Sequence, residues 1–294
     1  MTASQTADRR RALRSWVKEI GWRHVLAIAA IVFALFPLVF VLSASLSQRG
    51  TLTGSSSLFS SFTIDSYIRL LTDPVNPYPR WFGNTILVAG VSALGTVILC
   101  ATAAYAFSRI RFRGRRTGLV GLVLLQMFPQ LLAYVAIFLL LIALGEVFPA
   151  LGLNSHLALI MVYLGGALGV NTFLMYGFFN TIPKEIDEAA TIDGAGHVRI
   201  FLMVLRLSMP ILAVVGLLSF ISAFDDFVIA SVVLTRTEDL TLAVGLYGYV
   251  SGQFAKNWGV FAAGAVLAAL PIVILFLYLQ RHIVSGLAAG AVKG

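Results

Sequence analysis

The chain has 294 residues, 59% of them hydrophobic and only 12% charged, with a formal net charge of +8. A mean hydropathy of +0.91 leaves too little polar surface to coat a soluble globule, which excludes soluble enzymes and soluble binding modules and assigns an integral membrane protein. The basic excess reads as topology and contact with anionic membrane lipid, so it calls for no nucleic-acid partner.

Residues 1–24 form a basic arm with Arg9, Arg10, Arg11, Arg14, Lys18 and Arg23. The apolar run Val25–Ser43 follows, and with Ser43-Ala44-Ser45 it imitates a signal peptide. Its apolar part exceeds the roughly 7–15 residues of a signal, so we read it as a retained first span. Residues 25–80 then hold that span and an outer loop. A spanning helix needs about 20 mainly apolar residues, and Ile86–Phe107, Gly118–Leu144, Ser155–Phe178, Ser208–Leu234 and Phe261–Leu279 meet this. All are far longer than the roughly 9–11 residues of a barrel strand, so the expected fold is all-α with six spans. Five of these lie in 81–281, and 282–294 form a tail.

Lys and Arg set the orientation. The arm, Arg109, Arg111, Arg113, Arg115 and Arg116 after the second span, Lys184, Arg199 and Arg206 after the fourth, and Arg281 and Lys293 in the tail make 16 of the 21 basic residues. Arg49, Arg69, Arg80, Arg236 and Lys256 lie on the other side. The richer side is cytoplasmic, giving N-in, C-in.

Chemistry-bearing motifs are sparse along these spans. Cys100, in the second, is the single cysteine, which removes disulfide and Cys-metal readings. There is no G-x-x-x-x-G-K-[ST], H-E-x-x-H or G-x-S-x-G, so no catalytic residue, metal or cofactor is expected. His24, His156, His197 and His282 fall at span ends or in loops and read as interfacial. Pro129 in the third span and Pro271 in the sixth are expected to kink them. Gly165-Gly166-Ala167-Leu168-Gly169 in the fourth is a small-xxx-small pattern that lets helices approach closely. Asp225-Asp226, toward the outer end of the fifth, reads as a pair in a wet outer mouth, as a cap of the span, or as a gate or direct substrate contact.

Between the fourth and fifth spans, Glu185–Pro210 carries the polar, charge-bearing stretch. Asn180 or Thr181 is expected to cap a helix with Pro183 in its first turn, while Glu185, Asp187 and Glu188 complement the positive end of its dipole. That helix is expected to run to about Asp193. Gly194 and Gly196 break it, and His197–Leu205 resumes with Val198, Phe201, Leu202 and Leu205 on one face. Ala189, Ala190 and Gly194 fall near one face and permit close seating in a partner's groove. By periodicity alone, an amphipathic loop helix lying on the membrane fits equally well. In the last outer loop Tyr247, Tyr249, Phe254 and Trp258 are amphipathic aromatics suited to an interface, to sugar stacking or to a membrane belt.

Glu188-Ala-Ala-Thr-Ile-Asp193-Gly194 resembles the EAA…G signature of type I ABC importer permeases. Gln126–Pro129 (QMFP), Leu151–His156 (LGLNSH), Thr241–Tyr249 (TLAVGLYGY) and Gly286–Gly294 (GLAAGAVKG) further resemble the MalG-type permease subunits of carbohydrate (maltose/maltodextrin) ABC importers. The resemblance covers roughly 81–294. It implies that residues 183–205 are coupling helices held by a cytoplasmic ATPase, with Glu188, Ala189, Ala190, Asp193 and Gly194 at the contact. It also implies a second, non-identical permease, two copies of the ATPase and an extracellular sugar-binding protein, all at the cell membrane of a prokaryote. The loop Tyr247–Trp258 would reach the binding protein, and Gly286, Lys293 and Gly294 would lie in a tail extending between the ATPases. The solute would be a disaccharide or oligosaccharide, such as maltose, maltodextrin or a trehalose-like sugar, held in the membrane mainly by the other permease. A polyol or glycerol phosphate is the alternative. A secondary carrier would show internal repeats and intramembrane ionisable pairs, which are not seen. The family's Leu-Pro step after the glycine is replaced by Arg206-Leu207, leaving Pro210, so the exit from the elbow is expected to be straighter.

Overall fold

A computed structural model describes residues 20–47, 58–59, 62–128, 130–251 and 257–291, with the side chains of 130, 131 and 284–291 excepted. The first apolar run is helix α1, Trp22–Ser45, followed by the short α2, Asp65–Thr72. The long α3, Tyr78–Arg109, leads into α4, Arg115–Gln126, and α5, Gln130–Val147. A 3-10 turn at Pro149–Leu151 precedes α6, His156–Phe179. The polar segment folds as α7, Glu185–Ile192, and α8, His197–Leu207; then come α9, Met209–Asp225, α10, Val228–Val233, α11, Leu242–Ser251, and α12, Trp258–Ala291.

At the centre, α3 packs against α6 and α9, while α1 lies outermost and meets α12. Small residues make this possible: the buried stripe of α3 reads Ala89, Ser92, Ala93, Thr96, Cys100, Ala101, Ala104 and Ser108. From Ala89 to Ser108 these residues recur every three or four positions, with Ser92–Ala93 and Cys100–Ala101 as adjacent pairs, and none is bulky, so neighbouring backbones come close on one face of the helix without a hydrophobic drive between helices. In the fourth span's glycine motif the close approach falls on Gly169, whose missing side chain leaves the room that Gln126 of α4 occupies. Gln126 Oε1 accepts from Val170 N at 2.5 Å. Gly165 and Gly166 face open space.

Among the described residues four helices, α1, α3, α6 and α12, are long and apolar enough to cross a membrane, and the bent pair α8–α9 makes a fifth. Two expected spans are corrected. The third is divided into α4 and α5: Met127 and Phe128 close α4 with bonds to Leu124 O and Leu125 O, and a residue preceding proline is pushed out of the α region. Pro129 itself lies outside the described residues. The fifth breaks after Asp225, because Asp226 turns extended (φ −66°, ψ 119°) and its Oδ2 accepts Ala230 N at 2.9 Å, starting α10 as a new helix. The sixth continues as one helix through Pro271 to Ala291.

The end of the bundle away from the polar elbow is stapled by side chains. Trp81, 1% exposed, donates its Nε1 to Thr237 O at 2.6 Å. Asn84 Nδ2 donates to Glu238 O and Leu240 O, each at 3.0 Å. Asn154 adopts φ +61°, and its Oδ1 accepts Thr235 N at 2.6 Å and Arg236 N at 2.9 Å. His156 Nε2 meets Asp239 O at 2.8 Å. The Leu151–His156 motif thus pins the segment between α10 and α11.

Candidate functional site

Helix α7 begins at Glu185 with Glu185, Asp187 and Glu188 in its first turn, where carboxylates complement the helix dipole. Neither expected cap starts it: Asn180 Nδ2 donates back to Tyr176 O and Thr181 Oγ1 to Phe178 O, closing α6 instead. The helix ends in a Schellman turn. Ala195 N donates to Ala190 O at 2.9 Å and Gly194 N to Thr191 O at 3.0 Å, with Gly194 at φ +77°. An L side chain at Gly194 would be strained, so glycine here is a backbone requirement.

The faces differ from the periodic reading. Ala190 is buried while Ala189 is exposed, so the two alanines do not share a seat. In α8 the inward residues are Ile200 and Val204, whereas Val198 is 73% and Leu202 50% exposed. Glu188, Ala189, Asp193 and Gly194 are exposed, and Ile192 is 86% exposed. The elbow therefore presents an apolar-and-acidic outer surface. Its exit is sharply bent, not straighter: α8 and α9 meet at 75°. Pro210, in the first turn of α9, has no N–H and excludes the carbonyl four residues back, so one proline suffices to break the helix at Ser208.

What seats the elbow was not evident in the sequence. Arg109, the last residue of α3, places Nε 2.6 Å from Asp187 Oδ2, with side chains 6% and 18% exposed. Its Nη2 donates to Ile182 O at 3.1 Å. The ion pair is close but not aligned as a hydrogen bond, and Arg109 Nη1 and Asp187 Oδ1 find no partner among the described residues. Tyr105 meets Phe201 edge-on at 5.0 Å, and Val204, Ile186 and Leu205 join the cluster around Cys100, Met175 and Phe179. The elbow thus packs directly on α3 and α6.

Those same helices wall a cavity of about 820 Å³. Ser92 and Thr96 of α3, Tyr134 of α5, Tyr163 and Asn171 of α6, Ser219 and Ser222 of α9, and Asp226 line it. The two expected gate residues part: Asp226 Oδ2 accepts from Tyr163 OH at 2.8 Å, whereas Asp225 is exposed at the end of α9.

The aromatic loop also divides. Tyr249 turns inward, its hydroxyl 3.2 Å from Asp73 Oδ2 and its ring against Trp81. Burial acts to raise the Asp73 carboxyl, but bonds from Asn76, Val75 and Tyr249 outweigh it and hold it below the usual carboxylate range. Tyr247 is 51% exposed beside Phe227, Trp258 stacks edge-on with Phe261, and Phe254 lies outside the described residues. Gly286 falls within α12, while Lys293 and Gly294 lie outside the described residues.

Residues 97–288 match the family described as "Binding-protein-dependent transport system inner membrane component". The maltose/maltodextrin transport system permease protein MalG of Escherichia coli strain K12 is 43% identical over 282 residues, covering 92% of this chain and 95% of that protein. The protein of the same name from Photorhabdus laumondii is 43% identical, with 94% and 98% covered. A crystal structure of a bacterial ABC transporter involved in the import of the acidic polysaccharide alginate superposes with a TM-score of 0.74 at 24% identity, covering 91% of this chain and 97% of that one.

Proposed function

The chain belongs to the binding-protein-dependent transport system inner membrane components, and from that premise we propose that it is the permease subunit of an ATP-driven importer for a disaccharide or oligosaccharide of the maltose/maltodextrin class. Its membrane part consists of several apolar helices of the type I ABC permease fold, at the inner membrane. Six crossings with both termini cytoplasmic result when α4–α5 together are taken as the third span and α9 as the fifth. A second, non-identical permease completes the pathway, two ATPase copies hydrolyse ATP on the cytoplasmic side, and an external binding protein delivers the sugar.

The observation that carries the mechanism is the seated elbow. Glu188, Ala189, Asp193 and Gly194 offer an exposed surface to the ATPase, while Arg109–Asp187 and Tyr105–Phe201 fasten the same element to α3. ATP-driven closure of the ATPases moves the elbow as a rigid lever, and α3 and α6 open the central cavity outward. Tyr247 and Trp258 are the candidates for binding-protein contact; Tyr249 serves the fold.

The test is Glu188→Lys in the reconstituted importer. Charge reversal at an exposed position leaves the fold intact, so membrane insertion is expected to be normal while co-purification of the ATPase and vesicle uptake of maltose fall at least tenfold. Normal uptake would remove the coupling role.

A further inference from the structure

We infer that the cavity walled by α3, α5, α6 and α9 holds the solute in transit, and that Asp226 makes it select neutral polyhydroxylated solutes over anionic ones. This rests on the reading of the chain as a saccharide permease and adds a solute-contacting, charge-selecting site within this subunit.

The cavity's size and place suit a solute. Its volume of about 820 Å³ falls within the roughly 300–1,000 Å³ of small-molecule sites. Ser92 lies near the middle of the 32-residue α3, at mid-depth of the bundle. Two hydroxyls there are orphans. Ser92, 2% exposed, and Ser219 both line the cavity, and their Oγ atoms have no hydrogen-bond partner among the described residues. A buried hydroxyl left unbonded is costly, and the hydroxyls of a passing sugar are partners that both donate and accept. Tyr134 and Tyr163 add aromatic faces on which a sugar ring can lie.

Charge then narrows the class. Among the described residues lining the cavity, Asp226 is the only charged one; no Lys or Arg faces it. Tyr163 OH and Ala230 N hold that carboxylate in place at 2.8 and 2.9 Å. In a site partly shielded from water a fixed carboxylate repels a phosphate or carboxylate solute, while a neutral saccharide finds an acceptor. The cavity is therefore suited to maltose-like sugars or polyols and unsuited to glycerol phosphate.

The test uses the assembled importer in proteoliposomes with Cys100→Ala and Ser222→Cys, since Ser222 is an exposed wall residue. Maltose is expected to slow modification by a small methanethiosulfonate reagent severalfold, and glycerol 3-phosphate is expected not to. Asp226→Asn, which keeps an acceptor for Tyr163 and Ala230, is expected to let glycerol 3-phosphate protect as well. Ser92→Ala is expected to raise the KM for maltose uptake about three- to tenfold with little change in kcat. Maltose uptake without protection at position 222, or equal protection by both solutes before Asp226 is changed, overturns the inference and leaves the saccharide reading standing. Absence of maltose uptake with protection by sorbitol overturns the saccharide reading and supports the neutral-solute cavity.

Discussion

Arg109 and Asp187 stand with Nε and Oδ2 2.6 Å apart, joining the end of the central helix α3 to the first turn of the elbow. Both side chains are largely buried, so removing one charge strands the other. A fully buried pair broken from one side costs about 3–5 kcal/mol, and partial exposure of Asp187 reduces this to about 1–3 kcal/mol. Arg109→Ala is expected to lower the Tm of the purified importer and uncouple ATP hydrolysis from uptake. Arg109→Ala with Asp187→Ala should be less damaging than Arg109→Ala alone, because no orphan carboxylate remains. A double-mutant cycle with purely additive effects would show that the pair carries no coupling.

At Gly194 the test concerns backbone alone. With φ +77° and open space around the site, Gly194→Val fails through conformation, at a cost of about 1–2 kcal/mol, while Gly194→Asn is better tolerated in the left-handed region. Uptake is expected to fall severalfold with valine and to stay within twofold of normal with asparagine. Equal loss in both would locate the fault in side-chain contact with the ATPase, not in the bend.

Much of this region was legible because its signals are local. A glycine after an acidic, alanine-rich turn predicts the break at Gly194, and length with hydropathy predicts α1, α3, α6 and α12. The misses have a common physical origin. Summed hydropathy does not register a side chain that competes for backbone bonds, so Asp226 capping Ala230 N was hidden inside an apparently continuous span. Periodicity grouped Val198 and Leu202 with Phe201 and Leu205 on one face, but burial is decided by what the bundle offers: Val204 and Leu205 meet the cluster of Tyr105 and Met175, Ile200 is buried, and Val198 and Leu202 stay exposed. Gln126 on Val170 and Arg109 on Asp187 join residues far apart in sequence, and nothing local signals them.

At the opposite end of the bundle, Gly245 is predicted to be intolerant of any side chain. A Cβ there would overlap the Trp81 ring, which is buried and already fixed by its bond to Thr237 O. Gly245→Val is expected to cost about 1–3 kcal/mol through overpacking and to lower the Tm of the detergent-purified importer by several degrees. Gly248, three residues on, meets nothing within 4 Å, so Gly248→Ala should leave Tm unchanged or slightly raised. Matching effects at both positions would contradict the Trp81 packing.

Orientation can be read at two exposed residues that the fold separates. Val75, 71% exposed, lies between α2 and α3 beyond the Trp81 end, and Ile192, 86% exposed, lies on the elbow. The basic residues gather at the elbow end, with Arg109, Arg111, Arg113, Arg115 and Arg116 between α3 and α4 and Lys184, Arg199 and Arg206 around α7–α8, so that end is expected in the cytoplasm. In a Cys100→Ala background, Val75→Cys should react with an impermeant maleimide in spheroplasts, and Ile192→Cys only after permeabilisation. Neither substitution changes the count of basic residues, so the labelling reports the native orientation. The reverse pattern would place the elbow outside, beyond reach of any cytoplasmic ATPase, and the coupling role would fall with it.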